Sequence, residues 1–167
     1  MRRYASGMHT VRPARADDLP AMAAMAARLV QQHHTADPLR FMLPDDVERG
    51  YRRWFTHELR SPEVVMRVAD AGGTLVGYTY ARVEPRDWNA LLDRCGALHD
   101  IFVDDAARGR GTGAALLRAT LDALRDLGVP RVVLSTMWGN HAAQRLFERA
   151  GFRRTMIEMT CELDASP

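Results

Sequence analysis

The chain has 167 residues, 23 basic and 21 acidic, for a formal net charge of +2. It is long enough to bury one sizeable core and lacks the charge excess that drives a nucleic-acid binder. Apolar residues make up 47 % and charged residues 26 %, ordinary for a soluble domain, and no run approaches the roughly 18 apolar residues of a membrane span. Neither nucleic acid nor membrane is therefore an expected partner. Cys95 and Cys161 have no CxxC companion, and the basic start Met1-Arg2-Arg3-Tyr4 is followed by no apolar signal region. Both features fit a reduced, cytoplasmic protein.

In chain order, residues 1–9 read as a flexible leader, with Met8 an alternative start. Residues 10–163 read as a single domain and residues 164–167 as a tail. Residues 10–13 form a short first strand. Asp17 caps a helix that tolerates Pro20 in its first turn and lines up Leu19, Met22, Ala23, Ala26, Leu29 and Val30. His33-His34-Thr35-Ala36-Asp37 ends it. No further ligand recurs at a telling spacing, so a solvated helix end is expected and no metal site. Pro44-Asp45-Asp46 opens a second helix carrying Val47, Tyr51, Trp54, Phe55 and Leu59, which stops before Pro62. Residues 64–69 and 75–83 form a hairpin around Asp70-Ala71-Gly72-Gly73. Gly77 inside it marks a bulge or a close backbone approach. Residues 84–94 connect to the next strand.

The chemistry concentrates from His99 to Gly128. His99, Asp100, Ile101, Phe102 and Val103 read as a strand. Leu116, Leu117, Thr120, Leu121, Leu124 and Leu127 recur at helical spacing, and Gly128 stops that helix. Between them lie Arg108, Gly109, Arg110, Gly111, Thr112, Gly113 and Ala114. A helix N-terminus stripped of side chains offers unpaired N–H groups and positive dipole charge, so this turn suits a phosphate or pyrophosphate. The turn formally matches GxGxxA. A dinucleotide-binding unit, however, needs its glycines directly after a strand and a carboxylate about 20 residues on, and both are missing. A P-loop needs Gly-Lys-Ser/Thr, which is also missing. A plain helix cap stays open as an alternative. Residues 131–136 then read as a strand buried on both faces. Asn140 caps a fourth helix with Ala143, Leu146 and Phe147 on one side, Gly151 ends it, and residues 152–163 alternate like one or two final strands.

Arg108-x-x-Gly111-x-Gly113 resembles the Arg/Gln-x-x-Gly-x-Gly/Ala signature of the GNAT superfamily of acyl-CoA-dependent N-acyltransferases. Asn140-x-x-Ala143 with Gly151-Phe152 beyond it is similar to that family's second CoA-side motif. The resemblance covers residues 10–163 and implies an α/β (α+β) fold, a mixed central sheet of about six to seven strands flanked by four helices. It implies acetyl-CoA as co-substrate, with the pyrophosphate on the backbone of residues 108–114. The pantetheine arm would run along Ile101, Phe102 and Val103 and bond Asn140, beside Ala143 and Phe147. The activity implied is acetyl transfer to a primary amine by direct attack on the thioester. The acceptor would be a small molecule, polyamine-, aminoglycoside- or amino-acid-like. A protein or peptide acceptor and a non-catalytic acyl-CoA-binding module are the alternatives. Homodimers are common in the family.

His99 stands where members of the family place a glutamate or histidine base, and its reference pKa of ~6.5 suits that work. A strand histidine satisfied by a backbone carbonyl is the structural alternative. Asp100, on the opposite face of an unbulged strand, would orient a neighbour or the amine. The family often carries a tyrosine acid where this chain has Phe147, and Tyr78 or Tyr80 are possible substitutes. Tyr51, Trp54, Asp87 and Trp88 are candidate walls of the acceptor cleft.

Overall fold

A computed structural model describes residues 4–6 and 9–163. Six strands form one mixed sheet in sequence order: β1 (Tyr4–Ser6), β2 (His9–Pro13), β3 (Val64–Ala71), β4 (Thr74–Glu84), β5 (Cys95–Val103) and β6 (Val132–Leu134). All neighbours are antiparallel except β5 and β6, which are parallel. Four helices flank the sheet: α1 (Leu19–Ala36), α2 (Val47–Glu58), α3 (Thr112–Asp126) and α4 (His141–Arg149). The strand count agrees with the sequence, but its composition differs at both ends. Tyr4–Ser6, expected in a loose leader, pairs with His9–Val11 as an edge strand. Residues 152–163, expected as strands, contain neither helix nor strand. They pair with no strand among the described residues, and Met156, Ile157, Met159 and Leu163 stay 72–91 % exposed. Residues 1–3 and the expected tail lie outside the described residues.

Alternation along β4 explains the layering. Tyr78 and Tyr80 point to one face and pack with Met66, Val68 and Phe102 against Met22, Met25 and Ala26 of α1 and Phe55 of α2. Ala81 and Val83 point to the other and join Val65 and Leu98 against Leu117, Leu124 and Phe147. Each such side chain buried contributes about 1.5–3 kcal/mol. Between the layers Thr79 Oγ1 and Thr120 Oγ1 lie 2.7 Å apart, a buried polar pair that ties α3 to the sheet centre. Gly77 has both features expected of it. The β3–β4 register shifts beside it, and a Cβ there would lie 2.7 Å from the Phe102 carbonyl oxygen.

The helix ends follow local chemistry. Asp46 caps α2 by accepting from the Arg49 amide, Asn140 caps α4 through Ala143, and Gly128 and Gly151 close α3 and α4 at positive φ. Asp18, rather than Asp17, marks the start of α1. Its carboxylate accepts both Arg12 terminal nitrogens at 2.7 and 2.8 Å and the Arg15 amide at 2.7 Å, while Arg12 also reaches Asp70 on β3. His33 stacks on Phe41 at 5.0 Å, and His34 Nδ1 lies 2.7 Å from the Phe41 carbonyl oxygen. These two histidines thus pin the α1–α2 loop. Cys95 is buried and Cys161 exposed, both free. No helix among the described residues is long and apolar enough to cross a membrane.

Two substitutions test this frame. The Arg12 guanidinium holds the Asp18 carboxyl below its ordinary 3.8, with burial opposing. Asp18→Asn should cost about 2 kcal/mol at neutral pH. The folded value lies below the unfolded one, so this contribution is present above pH ~4 and is lost as pH falls through the folded value. Urea midpoints of the two proteins should differ at pH 7 and converge towards pH 3. Gly77→Ala should lower stability by about 1–3 kcal/mol through the clash with Phe102, read from the same denaturation curves.

Candidate active site

The turn after β5 forms an open cradle of amides. Gly111 takes φ +83° as the residue before α3, and Gly109 takes φ +72°. This left-handed backbone fans successive N–H groups outwards. The amides of residues 109–114 donate to no acceptor among the described residues. Thr112 turns its hydroxyl inward to the Ala107 carbonyl at 3.0 Å, leaving its amide outside. Gly113 fits close against α4, since a Cβ there would meet Leu146 at 3.3 Å. Arg108 does not reach into the cradle. Its Nε donates to the Val103 carbonyl at 3.1 Å and its Nη1 pairs with Asp105 at 2.7 Å, bracing the turn against the strand end. Arg110 is exposed and borders a cleft of about 370 Å³ shared with Arg28 and Asp104, which form an ion pair.

β5 meets β6 only from Gly96 to Leu98. Beyond Leu98 no strand among the described residues covers that edge. The Asp104 amide donates to Val76 on β4, so by strand alternation the peptide groups of Ile101 and Val103 face the open side. One residue past the end of the ladder, the β4–β5 register shifts. Tyr80 opposes Asp100 and Ala81 opposes Leu98, which leaves His99 as the extra residue of a bulge.

The bulge overturns one expectation. On a regular strand His99 and Asp100 point to opposite faces, yet both lie on the α1–α2 face. The His99 ring stacks on Tyr80 at 5.4 Å, and Asp100 accepts the Tyr78 hydroxyl at 2.9 Å. His99 is exposed and Asp100 half-buried. Burial pushes the Asp100 carboxyl above its ordinary value, opposed by the Tyr78 bond and the positive potential of His99. His99 Nε2 lies 3.1 Å from Glu84 Oε1, a side-chain partner where a backbone carbonyl was the structural alternative.

The other candidates divide. Tyr51 packs on Phe55 at 5.2 Å with Trp54 edge-on at 5.5 Å, and burial, then the Asp100 charge, pushes its hydroxyl up. Trp54 also meets Tyr80 at 4.7 Å and is 39 % exposed, half wall and half core. Asp87 is spent on its own loop, accepting the Asn89 and Ala90 amides, and Trp88 lies exposed under Arg86. Asn140 uses Oδ1 as a helix cap. Ala143 and Phe147 pack in the core, Phe147 against Phe152 at 5.9 Å. The hydroxyls of Tyr78 and Tyr80 donate to Asp100 and Glu58, and burial first pushes both up, so neither is a free acid in place of a tyrosine at 147. Sequence reasoning missed Glu84 and Glu58. The period-2 set Tyr80, Arg82, Glu84 at the end of a strand was the available signal.

The model of the acetyltransferase (GNAT) family matches residues 28–152. Mycothiol acetyltransferase of Parafrankia sp. (strain EAN1pec) is 31 % identical over 176 residues, covering 90 % of this chain and 54 % of that protein. Mycothiol acetyltransferase of Sanguibacter keddieii is 37 % identical over 92 residues, covering 55 % of this chain and 29 % of that protein. The chain thus spans about a third to a half of the length of these curated relatives. Aminoglycoside N-acetyltransferase AAC(6')-Iy, solved in complex with CoA, shares the fold with a TM-score of 0.72 at 19 % identity, over 94 % of this chain and 95 % of that one. The family match over most of its length, on a sheet that opens beside an amide cradle, shows that this chain belongs to the acetyltransferase (GNAT) family, for which acetyl-CoA is the co-substrate.

Proposed function

We propose that the protein is an N-acetyltransferase that moves an acetyl group from acetyl-CoA to a primary amine of a small molecule. The observation that carries this is the bulge at His99. It sets a base and a carboxylate side by side on one face, where β5 parts from β6 and its edge becomes free. The site fits the co-substrate in two respects. The unpaired amides of residues 109–114 match a diphosphate, and the peptide groups of Ile101 and Val103 match an extended amide-bearing arm. The Asn140 side-chain NH₂ remains available beside its capping oxygen. When bound, acetyl-CoA supplies the activated acyl group as a thioester.

The residues of this chain manage the amine. A lysine-like amine has a pKa near ~10.4, so at neutral pH it arrives as an ammonium, and freeing its lone pair costs roughly 4–5 kcal/mol. Asp100, half-buried and bonded by the Tyr78 hydroxyl, offers the ammonium a carboxylate in a site of reduced water. His99, next to it, accepts the proton. Tyr51 and Trp54 wall the approach from α2. A small-molecule acceptor is favoured by the names of the relatives, mycothiol and aminoglycoside acetyltransferases.

The test is thiol release from acetyl-CoA against polyamines, aminoglycosides, amino acids and peptides. Release with a small amine supports the proposal, release with peptides alone moves the acceptor class, and acetyl-CoA binding without release on any amine overturns it in favour of a binding module. Gly111→Val should weaken acetyl-CoA binding at least tenfold in calorimetry, because a β-branched residue resists φ +83° and crowds the cradle. His99→Ala should lower kcat about a hundredfold while acetyl-CoA affinity stays within twofold.

A further inference from the structure

A chain of charged groups leads from the core to His99 and ends on a residue with no role so far. Glu58, at the last turn of α2 and 6 % exposed, accepts the Tyr80 hydroxyl at 2.6 Å and Arg82 Nη1 at 3.1 Å. Arg82 Nε is buried without a hydrogen bond among the described residues and lies 3.6 Å from Glu84 Oε1. That same Glu84 oxygen is the partner of His99 Nε2. Tyr80, Arg82 and Glu84 alternate along one face of β4, and the bulge delivers His99 to that face. The imidazole is thereby fixed twice, by its face on Tyr80 and by its edge on Glu84.

Electrostatics decides which nitrogen carries the proton. Glu84 and Asp100 put negative charge next to the ring, and the Arg82 guanidinium behind Glu84 offsets part of it. A nitrogen facing a carboxylate oxygen must donate, so Nε2 bears hydrogen and the lone pair of the neutral ring sits on Nδ1. No hydrogen bond to Nδ1 is formed by the described residues. Of the other charged groups around the ring, Asp100 lies beside it on β5 and turns to Tyr78. Arg82 holds Glu84 from behind and is itself held by Glu58.

We propose that Glu84 is a positioning residue for acetyl transfer: it locks His99 in the Nε2–H tautomer, so that Nδ1 is the atom that takes the proton from the acceptor amine. The proposal rests on the acetyl-transfer reading above. In the proton transfer the ammonium N–H bond breaks, its electron pair stays on the amine, and the Nδ1–H bond forms. The resulting imidazolium keeps Nε2–H on Glu84, whose negative charge stabilises it, and later releases the Nδ1 proton to solvent.

The experiment pairs nitrogen NMR with kinetics. Long-range ¹H–¹⁵N spectra, with His99 assigned by its loss in His99→Ala, should show the Nε2–H tautomer in the wild type. Glu84→Ala should give a tautomer mixture and lower kcat about 10–100-fold, with the KM for acetyl-CoA unchanged, using kanamycin or spermidine as the amine. Glu84→Gln, which keeps an acceptor oxygen without the charge, should recover the tautomer and part of kcat. An unchanged tautomer in Glu84→Ala overturns the proposal whatever the rate. An unchanged rate in Glu84→Ala, with His99→Ala impaired, overturns it while leaving acetyl transfer standing. Absence of thiol release from the wild type on any amine overturns the acetyl-transfer reading itself, while the tautomer spectrum still reports on the Glu84–His99 bond.

Discussion

One surplus residue in a central strand organises the molecule. The bulge at His99 sits where pairing changes on both sides of β5. The parallel ladder to β6 stops at Leu98, and the antiparallel ladder to β4 slips between Tyr80 and Ala81. A bulge bends its strand and increases its local twist. Here that bend coincides with the point where β6 stops covering β5. The same irregularity leaves a strand edge uncovered and turns two adjacent side chains to one face.

Around that point, the structure divides support from recognition. Buried contacts hold the two faces of the sheet: Tyr78, Tyr80 and Phe55 on one, Leu98, Leu117 and Phe147 on the other. Charged side chains that look available in the sequence are largely committed to bracing. Arg108 ties the cradle to the end of β5, Arg12 ties α1 to β3, and Asp87 folds its own loop. What remains uncommitted is mostly backbone, the amides of the turn, the peptide groups of Ile101 and the amide of Val103, whose carbonyl takes Arg108. Backbone donors on rigid elements are aimed in advance and lose little entropy on binding.

The cradle was legible in the sequence because glycine spacing and a following amphipathic repeat are local properties. The helices and the hairpin were legible for the same reason. Three features were not. A bulge leaves no composition signal, so His99 and Asp100 were assigned opposite faces although Tyr80 and Tyr78 draw both to one. Glu84 has no neighbour in sequence that marks it, and its partner His99 is 15 residues away. Residues 152–163 alternate as a strand does, but alternation states a preference that pairing must satisfy. Arg154 instead bonds Glu148 and Gln144 on α4, and Arg40 pairs with Glu158, leaving the segment off the sheet.

That unsheltered segment shapes how the molecule behaves in bulk. With a formal charge of only +2 there is little long-range repulsion to keep copies apart. Met156, Ile157, Met159 and Leu163 meet water on one short arm. Kosmotropic salts strengthen apolar association, so these four side chains add to the tendency of copies to associate in sulfate or phosphate. That apolar arm lies apart in sequence from the glycine turn and the strand bulge.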